Sequence, residues 1–483
     1  MKLNDLLVGL DYKCIKGNID QDIEQIIYDS RIKTKSGLFI AIEGFQTDGH
    51  QYVETAIENG AKVVLVQKPI EVNHKDVTMI QTADTRLAMA IIASNAYGKP
   101  SQAFELVGVT GTNGKTSITF LLGQLLEAYC KKVGIIGTIE NRIGNQILKA
   151  ERTTPESLDL QRLFRKMADE SVDVALMEAS SHALELKRTF GSQFKVGIFT
   201  NLTQDHLDFH KTMENYAKAK AKLFKCCEIG IVNIDSPYIQ SITDEATCKL
   251  VTYGIEKEAD YHASEIMISA AGVTYRLSCP DGEFKVSVPI PGKFTVYNTL
   301  AVIAAARSLG LPMKHIITAL KEVHGVPGRV QSFISNKGYS VLVDYAHTPD
   351  GLENVLATIK EFAKGRVITV FGCGGDRDKT KRPIMGRIAA KYSDHVIITS
   401  DNPRTENPLQ ILDEVEGGVR EITSNYDKVE NREMAIQVAL KEANKDDVVL
   451  IAGKGHENYQ ILKDRIIHFD DCEVVEAYLQ EEK

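Results

Sequence analysis

"GVTGTNGKT", residues 108–116, joins the apolar run "FELVGVT" (104–110) to the stretch "KTSITFLLGQLLEAYCKK" (115–132). The first reads as a buried strand and the second as an amphipathic helix, because apolar residues are continuous in one and recur every three or four positions in the other. Glycines between them let backbone N–H groups turn inward around phosphate oxygens, and the helix N-terminus adds its positive end. Lys115 is placed to reach the β- and γ-phosphates of a nucleotide, and Thr116 to set its hydroxyl on Mg²⁺. Thr110, Gly111, Thr112, Asn113 and Gly114 form the cradle. Strict spacing for such a loop puts glycine at 109, where this chain has Val109, so the motif is a variant.

Strand, phosphate loop and helix in that order make the chain α/β. At 483 residues it exceeds one core, and about three domains are expected at roughly 150 residues each. Residues 1–100 alternate short apolar runs ("GLFIAI", "AKVVLV", "VTMIQT") with helical stretches and read as a small α/β module, closed by the linker "YGKPS". Residues 101–330 hold the phosphate loop and two further buried strands, "VDVALMEAS" and "FKVGIFTN", in a mostly parallel sheet. Residues 331–483 restart the pattern with "YSVLVDYAH", "GRVITVFGCGG", "SDHVIITSD" and "DDVVLIAGKG", a doubly wound, Rossmann-like sheet with ligands expected at the strands' carboxyl ends.

Composition excludes several classes. A net charge of −8 argues against wholesale binding to nucleic acid or anionic membrane. Eight scattered cysteines without a CxxC pair read as reduced thiols of a cytoplasmic protein. The N-terminal apolar run is short for a signal peptide, and no segment reads as a membrane span.

Two later strand ends narrow the chemistry. "VALMEASSH" ends its strand at Glu178, an acid that can hold Mg²⁺. "IFTNLTQDHLDFH" offers His206 toward the same ion; His206 and His210 are four apart, but no HExxH pattern supports zinc. "ENYAKAKAKLFK" reads as a helix with lysines at 218, 220, 222 and 225, which by itself is a solvated basic face.

Together "GTNGKT", "MEASSHAL", "NLTQDHLDFH", "YAKAK", "GKFTVYN", "VPGR", "VDYAHTPD", "FGCGGDRDKTKRP", "SDNPRTENP" and "IAGKGHENYQ" run in order along nearly the whole chain and resemble the Mur ligase family. The resemblance implies an ATP-dependent, amide-forming enzyme of cytoplasmic peptidoglycan assembly, hence of cell-wall biogenesis, cell shape and division. It further implies a monomer whose domains close over their substrates. Lys115, Thr116, Glu178 and His206 would serve the phosphoryl transfer with Mg²⁺. Lys220 would carry a CO₂-derived carbamate that helps hold a second Mg²⁺; to react with CO₂ it must be neutral, so its pKa must be lowered.

The same resemblance implies an acceptor like UDP-MurNAc-L-Ala-D-Glu. Its uridine end would lie on residues 1–100 beside Ser30 of "DSR", with Thr153, Thr154, Ser180 and Arg188 meeting the sugar or peptide. Taken alone, "TTPES" also reads as a helix start and the hydroxyls as caps. The amine donor would lie on residues 331–483. In the family, DNPR (Asp401, Asn402, Pro403, Arg404) marks members that add meso-diaminopimelate, whose far end carries both ammonium and carboxylate and so suits arginine forks. Arg377, Gly453 and Glu457 would complete that pocket. Asn298, Asp344 and His347 would line the nucleotide's base and ribose, and Arg329 would contact phosphate.

Three rivals remain. A dinucleotide-binding dehydrogenase is suggested by "FGCGGDR", but arginine stands where the third glycine belongs. A folylpolyglutamate synthetase would share GTNGKT yet explains neither DNPR nor the N-terminal module. A nucleotide-driven switch predicts ATP turnover indifferent to any acceptor.

Overall fold

The computed structural model describes residues 1–44, 47–326, 330–455 and 457–482. The chain forms two compact units, Met1–Thr252 and Tyr253–Lys483. Among the described residues no helix is long and apolar enough to cross a membrane.

The first unit holds two sheets. The N-terminal one orders its five strands Lys13–Lys16, Thr78–Gln81, Ala61–Val66, Gly37–Ile40 and Gln25–Ile27. In the larger sheet, strands Cys227–Asn233, Phe194–Phe199, Glu105–Thr110, Val174–Glu178 and Val133–Ile136 lie side by side, all parallel. Glu105–Thr110 and Val174–Glu178 are covered on both faces, which is why they read as unbroken apolar runs. Register aligns their carboxyl ends: Glu178 pairs with Val109, and Phe199 with Thr110.

Helix Lys115–Ala128 starts at Gly114, whose φ of 89° glycine adopts without strain. It buries Ile118, Leu121, Leu122, Leu125 and Leu126 on one face. Each contributes roughly 1.5–3 kcal/mol by leaving water. Val109 is explained as well. It lies within the strand, where its carbonyl accepts the Ala179 N–H at 2.8 Å, and the chain turns only at Gly111.

The second unit opens with antiparallel strands Tyr261–Ser269, Gly272–Cys279 and Gly282–Val288, which the sequence reading did not resolve because they are half-polar and half-exposed. Helix Lys293–Ser308 follows. A six-stranded sheet then runs Gln331–Ile334, Ser340–Asp344, Val448–Ala452, Val367–Phe371, His395–Ile398 and Tyr426–Lys428, antiparallel only at its first strand. Apolar clusters lie on both faces, as a doubly wound sheet requires. Asp344 and Phe371 both pair with Ala452, and Ile398 with Phe371, so four loops leave one edge together.

Candidate active site

In the first unit, the loop after Thr110 is braced by the loop after Phe199. The N–H groups of Thr112 and Asn113 donate to the Asn201 carbonyl and to Asn201 Oδ1, both at 3.0 Å. Thr200 Oγ1 donates to the Asn113 carbonyl at 2.6 Å. Two N–H groups assigned to a phosphate cradle are therefore spent on holding the loop's shape. Gly111 has φ 150°, and a methyl group there would lie 1.8 Å from Thr200 Oγ1. Gly111→Ala must break the Thr200 brace, at a cost of about 1–3 kcal/mol. The expected result is a KM for ATP raised at least ~10-fold with a lowered melting midpoint, read by steady-state kinetics and thermal unfolding.

Lys115 Nζ donates to the carbonyls of Gly111 and Thr112 at 2.9 and 2.8 Å, so it rests on the loop it would share with phosphate. Thr116 Oγ1 donates to Glu178 Oε1 at 3.0 Å, in a buried contact. Glu178 also accepts the N–H and hydroxyl of Thr138, at 2.9 and 3.0 Å. Hydroxyl and carboxylate side by side are hard oxygen donors, a set that fits Mg²⁺.

Helix Met213–Ala221 carries Lys218 and Lys220, and the short 3₁₀ turn Lys222–Lys225 the other two. Lys218 is exposed, Lys222 pairs with Glu185 at 2.7 Å and Lys225 pairs with Glu245. Lys220 is 1% exposed. Its Nζ donates to the Gly111 carbonyl at 2.8 Å and sits 4.4 Å above the Tyr216 ring. Burial, reinforced by Lys115 and partly offset by Asp205, pushes its pKa well below the usual 10.5. His206 adopts a left-handed φ of 50°, lies 3.4 Å from Asp205, and places its ring 6.2 Å from Tyr216. His210 is buried instead: it stacks on Tyr216, bonds Ser181 Oγ at 2.9 Å, and is pushed down to about 4 mainly by burial. It packs in the core rather than joining His206 at a zinc site.

The acceptor residues Thr153, Thr154, Ser180 and Arg188 do converge. Thr154 Oγ1 donates to the Glu178 carbonyl at 2.7 Å and lies 3.1 Å from Ser180 Oγ. Ser180 also caps the helix Ser181–Glu185 through the Ala183 N–H. Thr153 Oγ1 lies 3.0 Å from Thr138 Oγ1. Arg188 donates to the Thr154 carbonyl at 3.1 Å and pairs with Glu156 at 2.8 Å. Sequence reasoning missed Glu156, which also meets Arg152 at 2.8 Å and Arg86 at 3.5 Å. It stands at the N-cap of helix Ser157–Asp169 without capping it, so "TTPES" is a helix start as well. Ser30 lies between strands Gln25–Ile27 and Gly37–Ile40 of the N-terminal sheet, its carbonyl accepting from Asn59 Nδ2 at 2.8 Å.

In the second unit, Asp401, Asn402, Pro403 and Arg404 follow the strand His395–Ile398. Asn402 Nδ2 donates to Glu457 Oε2 at 2.8 Å, and the fully buried Lys454 pairs with the same oxygen at 3.2 Å. Gly453, at φ 120°, lets Asp401 Oδ2 approach: a methyl group there would lie 2.8 Å from it. The buried Arg432–Asp471 pair pins this strand end, with Arg432 donating to the Ala452 carbonyl at 3.1 Å. Arg377 and Arg404 are neighbours: a methyl group on Gly374 would lie 2.9 Å from Arg404 Nη1 and 3.9 Å from Arg377 Cγ. Asp344 accepts the N–H groups of Val330 and Ala346, at 2.9 and 2.8 Å. His347 Nδ1 bonds the Tyr345 carbonyl, and Asn298 is buried on helix Lys293–Ser308. Arg329 lies outside the described residues.

A phosphate loop with a buried lysine on one sheet, and an arginine pair with a carboxylate on another, are the parts of an ATP-using ligase. The chain belongs to the Mur ligase family: residues 22–97 match the family's catalytic domain, 109–306 its middle domain and 328–455 its glutamate ligase domain. Over its full length it is 49% identical to the UDP-N-acetylmuramoyl-L-alanyl-D-glutamate–2,6-diaminopimelate ligase of Clostridium botulinum, covering 100% of both chains. It is 50% identical to the enzyme of the same name from Clostridioides difficile, covering 99% of each. A solved structure of a ligase with that name superimposes with a TM-score of 0.76 at 32% identity, covering 100% of this chain and 99% of the other.

Proposed function

We propose that this chain joins an amino group of meso-diaminopimelate to the D-Glu carboxylate of UDP-MurNAc-L-Ala-D-Glu, using ATP. The full-length similarity to diaminopimelate ligases carries the reading. The adjacent Arg377 and Arg404, with Glu457 at the same edge, support the choice of amine.

The carboxylate oxygen attacks the γ-phosphorus, the bond to ADP breaks, and an acyl phosphate forms. The donor's amine then attacks the acyl carbon, phosphate leaves, and the amine loses a proton. Negative charge gathers on the transferring group, so preplaced cations and donors stabilise it. Lys115 supplies one charge, moving from the loop carbonyls to the phosphates. Thr116 and Glu178 would hold Mg²⁺ with His206, and the ion would screen the phosphate charge when bound. We assign the carbamate to Lys220: its neutral amine forms an N–C bond with CO₂ and releases a proton, turning a buried neutral amine into an anion beside the loop. Thr153, Ser180 and Arg188 would hold the acceptor, with Thr154 positioning them. Ser30 would meet the uridine end, and Asn298, Asp344, His347 and Arg329 the nucleotide.

Phosphate release measured with ATP, Mg²⁺ and each substrate left out in turn tests this. Release that needs both the UDP-dipeptide and diaminopimelate is expected. Release indifferent to the UDP-dipeptide would return the switch to the front.

A further inference from the structure

Arg382 is the second residue of helix Lys381–Tyr392, and its side chain is wholly buried. A buried guanidinium must be matched by charge and hydrogen bonds. Arg382 forms a fork with Glu406, Nη2 to Oε1 at 2.9 Å and Nη1 to Oε2 at 3.1 Å. Nη1 also donates to Glu414 at 2.8 Å, and Nη2 to the Gly374 carbonyl at 3.2 Å.

Glu414 lies on the helix Pro408–Arg420, whereas Gly374 and Glu406 belong to two loops that carry one pocket arginine each. Glu406 Oε1 accepts the Asp376 N–H at 2.6 Å. Asp376 accepts the Thr405 hydroxyl at 2.7 Å, the Gly375 N–H donates to the Asn402 carbonyl at 2.9 Å, and Arg404 Nη1 donates to the Gly375 carbonyl at 2.8 Å. Packing is close enough that a methyl group on Gly375 would lie 1.9 Å from the Pro403 carbonyl oxygen. Asp376 and Arg404 both sit at left-handed φ, 54° and 51°, a conformation that persists in such residues when the surroundings over-determine it.

We propose that the Arg382–Glu406 pair is a positioning clamp for amine-donor recognition: it locks the loop of Arg377 against the loop of Arg404, so that the two forks meet a far-end carboxylate at fixed spacing. The clamp rests on the reading of this edge as the diaminopimelate pocket. Recognition of a planar carboxylate by two forks tolerates little displacement, so loosening the loops weakens discrimination before it weakens chemistry. Glu406 is held down to about 2, chiefly by Arg382, so it stays ionised through the working pH range.

Glu406→Gln keeps the shape and removes the charge of the fork; Arg382→Lys keeps the charge and removes the fork. Arg387→Gln, which breaks an exposed pair with Glu421 on the same helix, is the control. For Glu406→Gln the expected result is a KM for diaminopimelate raised about tenfold or more, and preference over L-lysine reduced by a similar factor. The KM values for ATP and the UDP-dipeptide should stay within about twofold, and the control should match the parent enzyme. A lowered melting midpoint with an unchanged KM for diaminopimelate, or all three KM values rising together, would overturn the clamp. Should Arg382→Lys fail to fold, Glu406→Gln decides alone. A parent enzyme that never turns over diaminopimelate would instead overturn the pocket reading beneath it.

Discussion

Lys220→Met leaves the fold at least as stable as the parent and lowers ligation at least ~100-fold. The Lys220 amine is buried with a carbonyl and an aromatic ring as its neighbours and Lys115 close enough to depress its pKa. A buried amine costs stability unless it is compensated, so an apolar side chain of similar length is expected to gain about 1 kcal/mol or more near neutral pH. The sign follows from linkage. The unfolded lysine holds its proton up to about 10.5, whereas the folded one releases it earlier. Raising the pH between those values therefore favours folding, and the advantage of methionine shrinks as the pH approaches 10.5. Denaturant midpoints across that window check the stability half, and turnover checks the other. Under the proposed carbamate, parent enzyme prepared without CO₂ should recover activity on adding bicarbonate, while Lys220→Met should not. A methionine variant keeping more than about a tenth of the parent's turnover would remove Lys220 from the chemistry.

Arg404→Lys should lower kcat/KM for diaminopimelate about 100-fold, near 3 kcal/mol, while the KM for ATP stays within twofold. Lysine keeps the charge but presents no planar fork, so one of the two carboxylate contacts is lost. It also loses the bond to the Gly375 carbonyl, which fixes the loop. Discrimination against L-lysine should fall with it, because a site built to satisfy a charged group rejects analogues that lack it. Steady-state kinetics with both amino acids gives the answer; an unchanged ratio would place the recognising groups elsewhere.

Much of the site was legible because it sits where parallel strands end. Glu178 and the Gly111–Gly114 turn follow from apolar runs that stop at polar residues, and register puts them at one edge. Lys220 could be singled out among its neighbours only by resemblance, since an alternating "AKAKAK" carries no record of which face is buried. Glu156, Thr138 and Arg382 were missed for a common reason. Each acts through partners distant in sequence, Arg382 with Glu406, Thr138 with Glu178 and Glu156 with Arg188 and Arg86, and such pairing leaves no local pattern. The braces from Thr200 and Asn201 were invisible likewise, although "NLTQDHLDFH" marked their loop.

The central claim is tested most directly by the product. The protein is given UDP-MurNAc-L-Ala-D-Glu, ATP and Mg²⁺ with equal diaminopimelate and L-lysine, and the nucleotide-peptides are weighed by mass spectrometry. The account predicts the diaminopimelate tripeptide, with one ADP and one phosphate formed for each. A lysine tripeptide as the main product would contradict the pocket, and ADP formed without any tripeptide would contradict the ligase itself.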